Sequence, residues 1–317
     1  MIVLGVETSC DETAVAIVED GKNVLASVVY SQIDIFEKFG GVVPEVASRK
    51  HIQKITVVFE ECLKEANLTP KDIDLVAVTS HPGLIGSLLV GINAAHAFAL
   101  ANNIKCVDVN HLTGHIYANY IESDFVFPVL ALVVSGGHTE LVLMKDHYEF
   151  EVLGQTLDDA IGEAYDKVGR VMNFNYPAGK AVDEAAHRGK HAYTLPVYES
   201  KNDFNFSFSG VKSGVLNLVN KCKMKNEEIV IDDLACSFQE SVVSVLVNKT
   251  IAATKQFNIK HVIVAGGVAA NKGLREHLTE EVNKLKDVKV TFPSFKYCTD
   301  NAVMIAVSGY FKYILNK

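Results

Sequence analysis

The strongest constraint on this chain is that it repeats itself. Ser9-Cys10-Asp11-Glu12-Thr13 lies over Ser135-Gly136-Gly137-His138-Thr139 at an offset of 126, and an apolar stretch and an aspartate, Asp20 or Asp146, follow each run. Both read as strand, tight turn of small and hydroxylated residues, then strand. A second match, at an offset of 186, lays Ile52-Gln53 on Phe238-Gln239, each opening an amphipathic helix (Ile55, Val58, Phe59, Leu63; Val242, Val245, Leu246). Each copy then reaches a buried strand, 75–79 or 261–265, a glycine-bearing turn (Pro82-Gly83; Gly266-Gly267) and another helix. The offsets differ by 60 (186 minus 126), so the second copy carries about that many extra residues, placed within roughly 158–232.

Buried strands share a narrow vocabulary, so chance likeness between α/β halves is the competing explanation. Two offsets that each hold over several elements favour duplication. The expected class is α/β with a duplicated actin-like (sugar kinase and Hsp70-type ATPase) fold, its two similar domains facing across a nucleotide cleft. In such a fold the hairpin turns of both copies approach phosphates through backbone N–H groups. The expected first domain is 1–125, completed by a C-terminal helix at 300–317. The expected second is 126–299. A length of 317 residues suits two domains.

Composition removes several classes. At 49% hydrophobic and 21% charged, the chain is neither disordered nor coiled coil. Six cysteines with no CxxC pair read as reduced thiols. Met1 leads directly into the apolar run Ile2-Val3-Leu4-Gly5-Val6 without a basic leader or cleavage site, so a cytoplasmic protein is expected. No Asp, Glu, Lys or Arg occurs over 75–104, but His81-Pro82-Gly83 interrupts that run. A buried strand, a turn and a small-residue helix packed in a core fit it better than a membrane span, so no membrane partner is expected. The net charge of -8 excludes a non-specific nucleic-acid coat and leaves room for a local basic face. Lys201, Lys212, Lys221, Lys223 and Lys225, near Phe204, Phe206 and Phe208, fit either exposed bases or a solvated surface over core aromatics.

Several residue patterns bear on chemistry. His111 and His115 share one face of a helix, with Asn110 as its N-cap. The spacing suits a metal and equally suits two ordinary packed histidines. Leu112 stands where the zinc-protease pattern HExxH has its glutamate, so that mechanism's base is missing. Asp300, in Cys298-Thr299-Asp300-Asn301-Ala302 before the last helix, is the candidate third ligand. Two imidazoles and a carboxylate suit iron or zinc better than calcium or magnesium. Cys298 reads as a fourth ligand or, more commonly, a buried structural thiol. Ser135 to Thr139 fits a phosphate-facing turn or a plain hairpin, and Gly266-Gly267 fits a surface for adenine or ribose or a common α/β turn. Glu7, Asp11 and Glu12, at the first hairpin, would repel phosphates unless a cation intervened. A P-loop is absent.

Together these motifs, with Gly40-Gly41-Val42-Val43-Pro44-Glu45-Val46-Ala47-Ser48-Arg49, resemble the bacterial-type tRNA N6-adenosine threonylcarbamoyltransferases, the universal family formerly called O-sialoglycoprotein endopeptidases. The resemblance runs from Ile2 to about Tyr310. It implies transfer of a threonylcarbamoyl group from threonylcarbamoyl-AMP to N6 of the adenosine 3′ of the anticodon, in tRNAs reading codons that begin with A. It implies one divalent ion, Fe(2+) or Zn(2+), on His111, His115 and Asp300. Implied substrate contacts are Val134, Ser135, Gly136, Gly137, His138, Asp166, Gly179, Asp183 and Asn271. Implied partners are a shorter, inactive paralogue of the same fold and a P-loop ATPase subunit. Where the family has Tyr-Pro-Gly-Gly this chain has Tyr176-Pro177-Ala178-Gly179, which matters only if position 178 needs a positive φ. Asp11 is the candidate for orienting N6 or taking its proton. The alternatives are a metal-dependent peptidase, which would cleave glycoprotein in a chelator-sensitive way, and a small-molecule kinase of the actin-like fold, which would transfer the terminal phosphate of ATP. With a charge of -8, the chain by itself should bind tRNA weakly and with steep salt dependence in a filter-binding titration.

Overall fold

A computed structural model describes residues 1–198 and 203–316; Lys201 of the basic cluster lies outside the described residues. The chain divides into two compact units, Met1–Asp124 with Pro293–Lys317, and Phe125–Phe292. Unit 1 holds β1 (Ile2–Glu7), β2 (Glu12–Glu19), β3 (Asn23–Ser31), β4 (Leu75–His81) and β5 (Lys105–Asn110), in the order β3-β2-β1-β4-β5. Unit 2 holds β6 (Val129–Val134), β7 (Thr139–Asp146), β8 (Glu149–Gln155), β9 (His261–Ala265) and β10 (Lys289–Thr291), in the order β10-β9-β6-β7-β8. Read from the other edge, the second order is the first. In each sheet the first three strands are antiparallel and the last two join in parallel.

Strand register carries the repeat further than topology does. Val3 faces Val18 and Leu75 in unit 1, while Val129 faces Met144 and His261 in unit 2. These partners are related by the two offsets read from the sequence, 126 within the hairpin (129 minus 3; 144 minus 18) and 186 for the next strand (261 minus 75). The central strands β1 and β6 are near-continuous runs of buried apolar residues, the pattern of a strand covered on both faces.

The helix Ile85–Asn102 departs from expectation. It buries Ser87, Leu88, Gly91, Ala95 and Ala99, yet Ile85 is 78% and Leu100 85% exposed. Only one face is therefore packed, because small residues at helical spacing give close approach along a single stripe. By length and composition this helix could cross a membrane; its small-residue face instead packs against β4 and the helix Pro44–Glu65.

The C-terminal helix Ala302–Ile314 folds onto β1, β4 and the helix His111–Glu122. Its residues from Ala302 to Gly309 are all buried. The approach is close enough to require glycine on both sides. A Cβ on Gly5 would stand 2.3 Å from the Ala302 carbonyl oxygen, and one on Gly309 would stand 2.3 Å from Ala77 Cβ. Gly5→Ala should therefore destabilise the protein by about 3 kcal/mol, the upper end of ordinary overpacking, because the clash is with backbone. Gly210→Ala, where an added Cβ meets open space on the helix Ser209–Lys225, should cost nothing in the same urea denaturation series.

Candidate functional site

In unit 1 the end of β1, the end of β4 and the starts of two helices meet. Asn110 caps the helix His111–Glu122 by accepting from Thr113 N–H, and Asn301 caps Ala302–Ile314 by accepting from Met304 N–H. The caps fix where each helix begins, and so place His111 at one start and Asp300 just before the other. Asp300 Oδ1 lies 3.2 Å from His115 Nε2 and 3.5 Å from His111 Nε2. Donors about 2.1 Å from one tetrahedral ion stand about 3.4 Å apart, so the spacing fits a single ion. His115 is fully buried, and neither of its ring nitrogens makes an aligned hydrogen bond. An imidazole left so would be costly unless something else took its lone pair. His111, His115 and Asp300 thus fit a divalent ion bound by two nitrogens and one oxygen.

The electrostatics agree. Burial opposes a charge on His111, but Asp300 and Glu7 outweigh it and raise the imidazole to about 9. Burial also penalises Asp300, which His111 and His115 nevertheless pull down to about 2. Glu7 stays below the usual carboxylate range because His111 offsets its burial. Glu12, burdened by burial and then by Asp300 and Asp11, is held well above that range. Several carboxylates gathered around two imidazoles make a pocket of negative potential that favours a cation. Asp11 is half-buried in the turn between β1 and β2, where its carbonyl accepts from Gln32 N–H. Cys298 is buried, with Sγ directed at the carbonyls of Pro293 and Ser294. It serves the loop that carries Asp300.

Unit 2 gathers the remaining residues. Val134 ends β6, and the turn Ser135 to His138 closes through Ser135 N–H to the His138 carbonyl and His138 N–H to Ser135 Oγ. Gly162, on the helix Ile161–Val171, donates its N–H to the Ser135 carbonyl, and Gly266, at φ +94, lies against Val134. Gly136, Gly137, Gly179 and Gly267 have nothing within 4 Å of an added Cβ, so no protein contact demands glycine there. The cleared backbone is accessible to a ligand instead.

Asp166, raised by burial, accepts from Ala178 N–H. Ala178 has φ -86, so its side chain costs no backbone strain. Asp183 is buried and accepts from Gln239 Nε2 and from the backbone N–H groups of Lys272 and Gly273. Asn271 caps the helix Lys272–Asn283 and donates through Nδ2 to Gln239 Oε1 and Tyr165 Oη. Gln239 and Tyr165 were not singled out from sequence as site residues. Their signal was there: Gln239 is a polar residue at a core position of a helix, between Ala235 and Val242. Near the basic cluster, Phe206 and Phe208 are core aromatics, and Lys212 pairs with Asp159.

The fold is actin-like, with His111, His115 and Asp300 gathered in unit 1 in a set compatible with a divalent ion and an open glycine turn in unit 2. The family profile of tRNA N6-adenosine threonylcarbamoyltransferase matches residues 23–307. The enzyme of that name from Bacillus cereus is 54% identical over 313 residues, covering 98% of this chain and 91% of the relative. Among solved structures, component A of (R)-2-hydroxyglutaryl-CoA dehydratase from Acidaminococcus fermentans superposes with a TM-score of 0.59 at 16% identity, covering 99% of each chain. The ROK hexokinase of Thermus thermophilus gives 0.51 at 14% identity, covering 99% of each chain. The solved structures speak for the fold alone. This chain belongs to the tRNA N6-adenosine threonylcarbamoyltransferase family and is a transferase.

A divalent ion at these three residues has a direct consequence. Adding Zn(2+) at about 100-fold its Kd should stabilise the chain by roughly 3 kcal/mol in thermal unfolding, and a chelator should remove the gain. Elemental analysis should find one ion per chain. His115→Ala should lose both the ion and the thermal shift.

Proposed function

We propose that this chain transfers the threonylcarbamoyl group from threonylcarbamoyl-AMP to N6 of the adenosine 3′-adjacent to the anticodon, in tRNAs reading codons that begin with A, and releases AMP. Membership of the family carries the reaction, and the triad of His111, His115 and Asp300, with both histidines buried, supports it most directly. That triad would hold one divalent ion, Fe(2+) or Zn(2+). When bound, the ion would supply a Lewis acid.

The rest of the chemistry belongs to the chain. The donor is a mixed anhydride whose AMP half leaves readily, so no protein nucleophile is needed. Attack by N6 on the carbamoyl carbon forms the C–N bond, breaks the bond to the phosphate oxygen and releases a proton from N6. Adenosine N6 is a weak nucleophile, so holding it against the carbamoyl carbon supplies much of the rate. Val134, Ser135, Gly136, Gly137 and His138 receive the donor in this reading. Backbone N–H groups of their turn would meet charge developing on its oxygens. Asp166, Gly179, Asp183 and Asn271 complete the contacts, with Asp183 and Asn271 held rigid by Gln239. Asp11, in the turn of unit 1, orients N6 and accepts its proton.

A shorter inactive paralogue of the same fold and a P-loop ATPase act with this subunit, and the work is cytoplasmic. Mass spectrometry of nucleosides from tRNA incubated with the chain, these partners, the adenylate-forming enzyme, threonine, bicarbonate and ATP should show threonylcarbamoyladenosine. Its absence would overturn the reading. In single turnover, Asp11→Ala should slow transfer by about 10²–10⁴, the usual worth of a positioned acid or base, and near wild-type transfer would remove that role.

A further inference from the structure

Glu7 is the last residue of β1 and is completely buried. Its Oε1 accepts from Ser9 N–H at 2.5 Å and its Oε2 from Thr79 Oγ1 at 2.5 Å. The same Oε2 lies 3.1 Å from His111 Nδ1, with Ser9 Oγ 3.2 Å from that nitrogen. Both Glu7 oxygens already accept, from Ser9 N–H and Thr79 Oγ1, so in the contact with His111 the ring Nδ1 is the donor. The other ring nitrogen, Nε2, is thereby left to face Asp300.

The repeat shows that the fold itself does not ask for this arrangement. At the hairpin offset of 126, Glu7 corresponds to Val133 (7 plus 126), and at the offset of 186 Thr79 corresponds to Ala265 (79 plus 186). Val133 and Ala265 are paired neighbours on β6 and β9, and both are fully buried. One architecture therefore accepts an apolar pair where unit 1 carries a buried carboxylate and a hydroxyl. Burying that carboxylate costs free energy unless a cation and donors answer it.

We propose that Glu7, locked by Thr79 and the Ser9 backbone, is the positioning residue that fixes the tautomer and aim of His111 for metal binding. The proposal rests on the reading of His111, His115 and Asp300 as ligands. A carboxylate behind a ligating histidine is a general device that holds the ring and raises its basicity, and its loss usually costs 10–100-fold in metal affinity. Glu7 is fully buried, with its oxygens engaged by Ser9 N–H, Thr79 Oγ1 and His111 Nδ1, so its route to the ligand set is through His111.

The test is Zn(2+) competition against a chromophoric chelator on the full chain, with thermal unfolding of the metal-free protein measured in parallel. Glu7→Gln, which keeps the shape and removes the charge, should weaken Zn(2+) binding 10–100-fold while the metal-free protein unfolds within a few degrees of wild type. The double replacement Glu7→Val with Thr79→Ala copies the pair that the second unit already packs. It should fold and bind Zn(2+) as weakly or more weakly. Wild-type affinity in a folded variant overturns the role of Glu7 and leaves the ligand set standing. Failure of the wild-type chain to take up Zn(2+) overturns both.

Discussion

The contact on which the site depends is the one between the C-terminal helix and the first strand. Gly5 and Gly309 let the helix Ala302–Ile314 lie against β1 and β4 at backbone distance. That seating sets where the helix begins, and Asp300 stands just ahead of its first turn. The helix carrying His111 and His115 starts nearby, with the same kind of asparagine cap. Two helix N-termini thus point their positive ends at a cluster of carboxylates. Residues near the end of the sequence and a pair from its first half become one centre, in a single compact unit.

Comparing the two copies separates what the architecture needs from what the chemistry needs. Sheet order and strand register are common to both. The ends of the central strands differ. Unit 1 places Glu7 and Thr79 there and connects them to His111. Unit 2 keeps Val133 and Ala265 apolar and puts its polar groups further out, in the Ser135 to His138 turn and in the network joining Asp183, Gln239, Asn271 and Tyr165. Duplication supplied two similar scaffolds, and each carries its own set of polar residues.

Much of this was legible in the sequence because repeats and periodicity are local signals. The offsets of 126 and 186 gave the repeated elements, and Asn110 announced the start of the helix that carries His111 and His115. Burial by distant partners was harder to read. Glu7 looked like a carboxylate facing phosphate, and only the fold shows it turned inward against Thr79 and His111. Asp183 could pass for a helix-surface charge, yet it is buried under the start of another helix. The helix Ile85–Asn102 packs as a small-residue core helix on one side, through Ala95 and Ala99, while Ile85 and Leu100 face outward. Composition does not say which face of an apolar helix has a neighbour.

In the proposed function one metal is held through Nε2 of His111, Nε2 of His115 and Oδ1 of Asp300. Crystals of the Zn(2+)-loaded chain, measured on both sides of the zinc absorption edge, test it directly. A single anomalous peak about 2.1 Å from those three atoms is expected, with Nδ1 of His111 still turned to Glu7. A peak at other residues, ligation through Nδ1 of His111, or no peak from a zinc-saturated crystal would contradict it.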